Sequence, residues 1–358
     1  MRTLRAIVVD DSAYNRRTIS DLLEEIDGVT VVGKAVDGND ALRLVTELEP
    51  DLVTLDLEMP RMDGYTFLRL LMARRPTPVI VVSGYANKEN VFKALELGAV
   101  DFIAKPARMV TADLASIRGE LQRVVNVVKK LSPQSLAQPR AKVRTDSTRA
   151  PTQKVPRGGA PQHVVAIGAS TGGPSALVEV FRHFPPTLKG AVVVAQHMPE
   201  RFTTTFAERL DRVSGLSVVE ASGRTELVAG MALVCPGGKC LEVRREGDRL
   251  FAEVVAPNPD DRYIPSVDRL FESVAKAMGL RSIGVVLTGM GDDGAKGAQA
   301  LKDRQARVFI ESPETAVIYG MPGAVERVGA FDEILPLRLV GARVCEEVGV
   351  DSSGEPSA

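Results

Sequence analysis

A chain of 358 residues is longer than one typical domain, and its 44% hydrophobic and 25% charged content excludes a disordered or fibrous chain. The formal net charge of −1 excludes a global pull toward nucleic acid or a membrane surface, and no apolar run approaches the roughly 20 residues of a membrane span, so neither a nucleic-acid partner nor membrane insertion is expected. The three cysteines, Cys235, Cys240 and Cys345, form neither an even disulfide set nor a paired zinc pattern, and they read as reduced thiols of a cytoplasmic protein.

From the N-terminus, Met1 to Arg5 lead almost at once into a strand pattern and are not expected to form a secretory signal. Strands are predicted over Ala6–Val9, Val29–Lys34, Leu52–Leu55, Val79–Val82 and Asp101–Ala104, with helical stretches such as Ser12–Ile26 and Gly38–Glu47 between them. That alternation implies a doubly wound five-stranded parallel sheet, whose function gathers beyond the carboxyl ends of its strands. The residues at those ends are Asp10-Asp11, Asp56 within Leu55-Asp56-Leu57-Glu58-Met59-Pro60, Ser83 and Lys105-Pro106. Clustered carboxylates repel one another unless a cation neutralises them, and an all-oxygen set suits Mg²⁺. A lysine that pairs with an anion and a hydroxyl that donates to it complete a set suited to phosphoryl transfer onto a carboxylate. Singly, each residue has an ordinary reading: Asp10 or Asp11 as a helix cap, Ser83 as a loop start, Lys105 as a solvated surface lysine. Their convergence on one sheet edge carries the argument.

Residues 131–162 are rich in Pro, Ser, Gln, Ala, Arg and Gly and poor in large apolar side chains, so a flexible basic tether is expected there. Alternation resumes with the strand Val164–Ile167, followed by Gly168-Ala169-Ser170-Thr171-Gly172-Gly173-Pro174 and a helix from near Ser175. A serine on a Gly-flanked strand-to-helix turn is expected to be well exposed. Backbone N–H groups such as that of Thr171, together with the helix dipole, can stabilise an oxyanion there. The segment fits G-x-S-x-G. A phosphate-binding turn is the rival reading, although the spacing is not G-x-G-x-x-G.

A base must then be found among three histidines. His163 starts the strand, at the wrong end of the sheet, and His183 lies near the C-terminus of a helix. His197 directly follows the buried strand Ala191–Ala195, on the same edge as Ser170. Further on, Leu241–Arg245 and Arg249–Val255 are expected to form a hairpin around Gly247-Asp248, which speaks against a compact helix-turn-helix output domain. The strand Ile283–Leu287 ends in Thr288-Gly289-Met290-Gly291-Asp292-Asp293-Gly294. One of its two carboxylates is expected to cap the helix through Leu301 and the other to orient His197; the residues alone do not say which. Ser, His and Asp at three strand ends suit nucleophilic acyl transfer. Their order differs from the Ser-Asp-His of ordinary lipases and esterases. Asp351–Ala358 are expected to form a disordered tail.

Roughly the first 125 residues resemble the receiver domain of two-component response regulators. That resemblance implies Asp56 as phosphoacceptor, with Mg²⁺ held by Asp11, Asp56 and the Glu58 carbonyl, and by Asp10 through water. It implies Ser83 and Lys105 as phosphoryl contacts and Phe102 as an aromatic switch, where plain core packing is the alternative. From His163 to Gly349 the chain resembles the catalytic domain of the chemotaxis-type protein-glutamate methylesterase family, CheB. The resemblance rests on Gly168–Gly173, Gln196-His197-Met198-Pro199, Pro265-Ser266-Val267-Asp268, Leu287–Gly294 and Tyr319-Gly320-Met321-Pro322. It implies Ser170 as nucleophile, His197 as general base, Asp293 as its orienter and the Met290 N–H as an oxyanion donor.

The division implied is a receiver over 1–130, a linker over 131–162, a Rossmann-like α/β serine hydrolase with a mostly parallel sheet over 163–350, and a tail over 351–358. The family implies hydrolysis of glutamate methyl esters on methyl-accepting chemoreceptors, and deamidation of receptor glutamine through the same acyl-enzyme. It also implies phosphorylation by a histidine kinase, no cofactor for the esterase, and a receiver whose phosphorylation shifts the population toward an open state. A receiver tethered to a nucleotide-binding domain would leave His197 without a role, and the filled triad gives a non-catalytic binding module no support.

Overall fold

The computed structural model describes residues 3–84, 88–105, 111–129, 131, 154 and 158–350. The chain divides into two compact units, Met1–Val143 and Arg144–Ala358. Most of the expected tether and the whole expected tail lie outside the described residues.

In the first unit the short β-branched runs form five strands: β1 (Leu4–Val9), β2 (Val29–Ala35), β3 (Leu52–Leu55), β4 (Val79–Gly84) and β5 (Asp101–Lys105). They pair in parallel in the order β2-β1-β3-β4-β5. Helices α1 (Ala13–Glu24), α2 (Gly38–Leu48), α3 (Gly64–Arg74), α4 (Lys88–Glu96) and α5 (Thr111–Val128) alternate with them. The sheet is covered by helices, so its strands read as continuous apolar runs; all four residues of β3 are buried. One core layer joins Ala6, Val8, Ile80 and Ile103 of the sheet to Ile19 and Leu23 of α1 and to Leu121 and Val124 of α5. The cap of α1 is Ser12, whose side chain accepts from the Asn15 amide, so neither Asp10 nor Asp11 is the N-cap residue.

The second unit is built on seven parallel strands in the order β15-β14-β13-β6-β7-β10-β8. These are β6 (His163–Ala169), β7 (Gly190–Gln196), β8 (Ser217–Glu220), β10 (Met231–Val234), β13 (Ser282–Val286), β14 (Arg307–Glu311) and β15 (Glu333–Leu335). Strands β9 (Arg224–Glu226), β11 (Cys240–Glu246) and β12 (Arg249–Val255) form a separate antiparallel sheet containing the expected hairpin. The helices are α6 (Gly173–Phe181), α7 (Glu200–Val213), α8 (Val267–Met278), α9 (Ala295–Asp303), α10 (Met321–Val328) and α11 (Leu337–Val348). On one face Val267, Phe271 and Val274 of α8 pack with Val164 and Ala166 of β6 and Val193 of β7.

From β6 the chain adds strands first on one side (β7, β10, β8) and then on the other (β13, β14, β15), so the order reverses between β6 and β13. A crevice opens beyond the carboxyl ends of strands at such a reversal, the usual place for a site in an open α/β sheet. Among the described residues no helix is long and apolar enough to cross a membrane.

Lys154, within the expected tether, has its Nζ against the carbonyls of Asp211 and Ser214 at the end of α7, the latter at 2.6 Å. That places a cation where helix carbonyls are left unpaired.

Candidate active site and phosphoryl site

In the first unit, Asp10 follows β1 and Asp56 follows β3, neighbours in the sheet. Asp10 is fully buried, Asp56 is 8% exposed, and Asp11 faces solvent. One carboxylate oxygen from each of the three lies within 4.8 Å of the others. Lys105, the last residue of β5, reaches across the sheet edge and places Nζ 2.6 Å from Asp10 Oδ2 and 2.6 Å from Asp56 Oδ2. Asp10 Oδ1 accepts from the Ser12 amide at 2.9 Å, and Asp56 Oδ1 from the Leu57 amide at 2.8 Å. Burial pushes the Asp56 carboxyl above its ordinary range, against the pull of the Lys105 ammonium.

Three carboxylates against one ammonium leave net negative charge on an all-oxygen donor set, which fits a hard divalent cation. Ser83 is buried at the same edge, one residue before Gly84, which pairs with Lys105. The Glu58 side chain is exposed, and its amide faces Asp56 Oδ1 at 3.5 Å. Phe102 is buried and meets Phe92 edge-on with ring centroids 6.4 Å apart, the geometry of core packing.

In the second unit, Ser170 follows β6, His197 follows β7, and Asp293 lies in the loop after β13; these three strands are adjacent. His197 Nε2 lies 2.8 Å from Asp293 Oδ2. Asp293 is 1% exposed and also accepts from the Val267 amide at 2.8 Å and the Asp268 amide at 2.9 Å, the first two residues of α8. Two backbone donors and the positive end of a helix therefore hold a buried negative charge beside the imidazole. With Nε2 directed to Asp293, Nδ1 is the nitrogen left for Ser170. Among the described residues, Ser170 Oγ makes no hydrogen bond to the ring. Gln196 Nε2 donates to the carbonyls of Ser170 at 2.9 Å and His197 at 3.0 Å, tying the two strand ends together.

Two expectations are corrected. Ser170 is only 5% exposed rather than well exposed, because the loop after β13 closes over it: a Cβ on Gly289 would lie 2.8 Å from Ser170 Cβ. Neither Asp292 nor Asp293 caps α9 with its side chain. Asp268 does so from α8, accepting from the amides of Gly294 at 2.9 Å and Gly297 at 2.8 Å. Asp292 instead accepts from the Tyr263 hydroxyl at 2.8 Å and Arg262 at 3.2 Å.

Thr171 is buried directly after Ser170, and Met290 is half-buried in the loop after β13. Gly172 takes φ +80°, a left-handed turn into α6, where a Cβ would crowd Val317 and Thr288. His163 begins β6 at the opposite end of the sheet, and His183 lies exposed just past α6.

Three contributors were not singled out from sequence. Tyr263 stacks on the His197 ring with centroids 5.3 Å apart and planes 5° from parallel. Asp268 belongs to a segment quoted only for its resemblance. Glu311 ends an apolar strand run in the same way that Asp56 does, a signal that was available.

Both parts of the chain are similar to known proteins. Residues 165–344 match the family model described as CheB methylesterase, and residues 6–114 that of the response regulator receiver domain. A Geobacter sulfurreducens protein named protein-glutamate methylesterase/protein-glutamine glutaminase 3 is 45% identical over 98% of this chain and 99% of its own. One from Anaeromyxobacter dehalogenans, numbered 6 under the same name, is 49% identical over 96% of each chain. The crystal structure of the Thermotoga maritima CheB methylesterase catalytic domain superposes with a TM-score of 0.50 at 35% identity, covering 51% of this chain and 97% of that one.

Proposed function

The chain belongs to the CheB methylesterase family and carries a response regulator receiver domain, and from that premise we propose that it is a phosphorylation-controlled protein-glutamate methylesterase and protein-glutamine glutaminase working through Ser170, His197 and Asp293. His197 Nδ1 removes the Ser170 Oγ proton as the oxygen attacks the carbonyl carbon of a glutamyl methyl ester. The backbone N–H groups of Thr171 and Met290 receive the charge that develops on the carbonyl oxygen. The imidazolium returns its proton to the leaving oxygen, methanol departs, and an acyl-enzyme remains. Water attacks next, activated by the same ring, and releases glutamate and Ser170. A glutamine substrate enters the same acyl-enzyme with ammonia as leaving group. Asp293 keeps the ring in one tautomer and balances its positive charge.

The observation that carries this reading is the 2.8 Å His197–Asp293 contact, on an acid held by two helix-start amides, at strand ends flanking that of Ser170.

For the receiver, Asp56 is the phosphoacceptor. Mg²⁺ would be held by Asp11, Asp56 and the Glu58 carbonyl, with Asp10 acting through water, and would neutralise charge on the transferring phosphoryl group. Ser83 and Lys105 contact the phosphoryl oxygens. The partners are methyl-accepting chemoreceptors as substrate and a histidine kinase as phosphodonor, in the cytoplasm. The test is methanol release from methylated receptor membranes by wild type, Ser170→Ala and Asp56→Asn, with and without a small-molecule phosphodonor and Mg²⁺. Loss of release in Ser170→Ala, and phosphodonor stimulation in wild type but not in Asp56→Asn, are expected. Full activity in Ser170→Ala would overturn the nucleophile assignment.

A further inference from the structure

We propose that Glu311 is a positioning residue for the nucleophile turn, acting through Thr288. The inference rests on the reading of Ser170 as nucleophile and adds to it a residue that never touches substrate.

Thr288 is a junction. Its carbonyl accepts from the Ser170 amide at 3.0 Å, and its hydroxyl lies 3.0 Å from the Thr171 carbonyl, to which it donates. The same hydroxyl accepts from the Ile318 amide at 2.9 Å, and the Thr288 amide donates to Glu311 Oε2 at 2.8 Å. One residue therefore holds both peptide units around the nucleophile. It also links them to the 318–321 segment, where the amides of Gly320 and Met321 donate to the Gly289 carbonyl. That carbonyl immediately precedes Met290, the proposed oxyanion donor.

Glu311 is what orients Thr288. The β13–β14 ladder pairs Val286 with Ile310 and then ends, so the Thr288 amide extends past the last ladder pair. Glu311, the final residue of β14, supplies the acceptor from its side chain while its own backbone leaves toward Ser312, whose amide donates to the Leu335 carbonyl. The Glu311 side chain is fully buried, and its Oε1 has no hydrogen-bond partner among the described residues. Burial lifts the carboxyl to about 7, opposed by the Thr288 amide and the Thr315 hydroxyl. A strut serving stability alone is more simply built from an apolar side chain, because a buried ionisable group opposes folding whenever it is charged. What this carboxyl adds is a directed acceptor at the one amide that aligns the nucleophile turn with the loop bearing Met290. A displacement of about 1 Å at such a point can cost on the order of a hundredfold in rate.

The test compares Glu311→Gln, Glu311→Leu, Glu311→Met, Thr288→Ser, Thr288→Val and Ser170→Ala in the full-length protein. Steady-state methanol release from methylated receptor membranes is measured per folded molecule, with circular dichroism and thermal melting as the folding check. Glu311→Gln keeps an acceptor for the Thr288 amide and should stay within about threefold of wild type. Glu311→Leu should lose roughly tenfold or more in kcat with KM little changed. Thr288→Val, which keeps shape and the amide that Glu311 holds but loses the hydroxyl, should show a kcat-selective loss rescued in Thr288→Ser, which tests the junction itself. Glu311→Met, near in length to Glu and without the carboxylate acceptor, decides the role of Glu311 if Glu311→Leu does not fold. Wild-type kcat in folded Glu311→Leu or Glu311→Met, or equal damage in Glu311→Gln and Glu311→Leu, overturns the inference while an inactive Ser170→Ala leaves the nucleophile reading standing. An active Ser170→Ala removes that reading and the inference with it.

Discussion

Asp268 and Asp293 cap each other's helices. Asp293, in the loop that leads into α9, accepts from the first two amides of α8, while Asp268, in the first turn of α8, accepts from the Gly294 and Gly297 amides at the start of α9. Each carboxylate lies at the positive end of the other's helix, which offsets the repulsion between two acids so close. Burial pushes Asp268 up to about 6, against the pull of the Gly297 and Gly294 amides, with the Asp293 charge adding to the rise. The exchange locks the acid loop in register with the helix start that orients it.

Asp268→Ala should therefore lower kcat by about tenfold to a hundredfold, with KM nearly unchanged, because the Asp293 loop loses its anchor. Asp268→Asn retains an acceptor for both glycine amides and should remain within a few-fold of wild type. Steady-state methanol release by the two variants checks this; equal loss in both would show that the charge of Asp268, not its acceptor, is what counts.

Tyr263 supports the opposite face of the base. Its ring stacks on His197 and its hydroxyl is fixed by Asp292. Tyr263→Phe keeps the stacking surface and should cost no more than about threefold in kcat, whereas Tyr263→Ala frees the imidazole to turn and should cost about tenfold or more. A tyrosine hydroxyl essential to the chemistry would reverse that ranking.

In the receiver, Lys105→Met leaves Asp10 and Asp56 buried together without their ammonium. Breaking one side of such a buried cluster costs about 3 kcal/mol or more. The variant should unfold at lower urea concentration at neutral pH, followed by a probe placed in the first unit. Burial already raises Asp56, so the folded variant binds protons more tightly than the unfolded chain, and stability should return as pH falls. Millimolar Mg²⁺ should also restore it, since a bound divalent cation replaces the missing charge.

Glu311 and Asp268 make the second unit's stability fall with rising pH. Their carboxyls stand at about 7 and about 6 in the fold, against ordinary values of 4.5 and 3.8. Over that window the native state binds more protons than the unfolded chain, so their contribution is present at the acid end and is lost as pH rises through the folded values. The difference in melting temperature between Glu311→Gln and wild type should therefore grow in favour of the variant from about pH 5 to about pH 8. A difference that stays flat would mean Glu311 does not ionise in that range.

The α/β alternation was legible because parallel strands buried on both faces are spelled by short runs such as Leu52–Val53–Thr54–Leu55, and the ten strands read from the sequence lie within about two residues of their observed bounds, whereas β8, β9, β10, β14 and β15 were not read. The site residues were legible for a related reason: polar residues interrupt the apolar pattern where a strand ends, as at Asp10, Asp56, Ser170 and His197. What could not be read depends on pairings remote in sequence. Residues alone could not choose between Asp292 and Asp293, because the loop's course turns on Gly291 and Gly294, both at left-handed φ, and on the anchor from Asp268. The burial of Ser170 comes from Gly289 closing over it, and the stacking of Tyr263 on His197 from a loop reaching back across the sheet edge. No local pattern encodes either.

The hydrogen bond from Thr288 to the Thr171 carbonyl joins residues 117 positions apart in the chain, whereas the acidic cluster of the first unit is complete once β5 has been made. During synthesis, domains fold largely in the order in which they leave the ribosome. A nascent chain therefore presents its phosphoacceptor long before it possesses a working serine, since β13 must be translated and inserted beside β6 before the Ser170 amide finds its partner. Premature termination anywhere between those strands yields a switch with nothing to operate, and never an unregulated esterase.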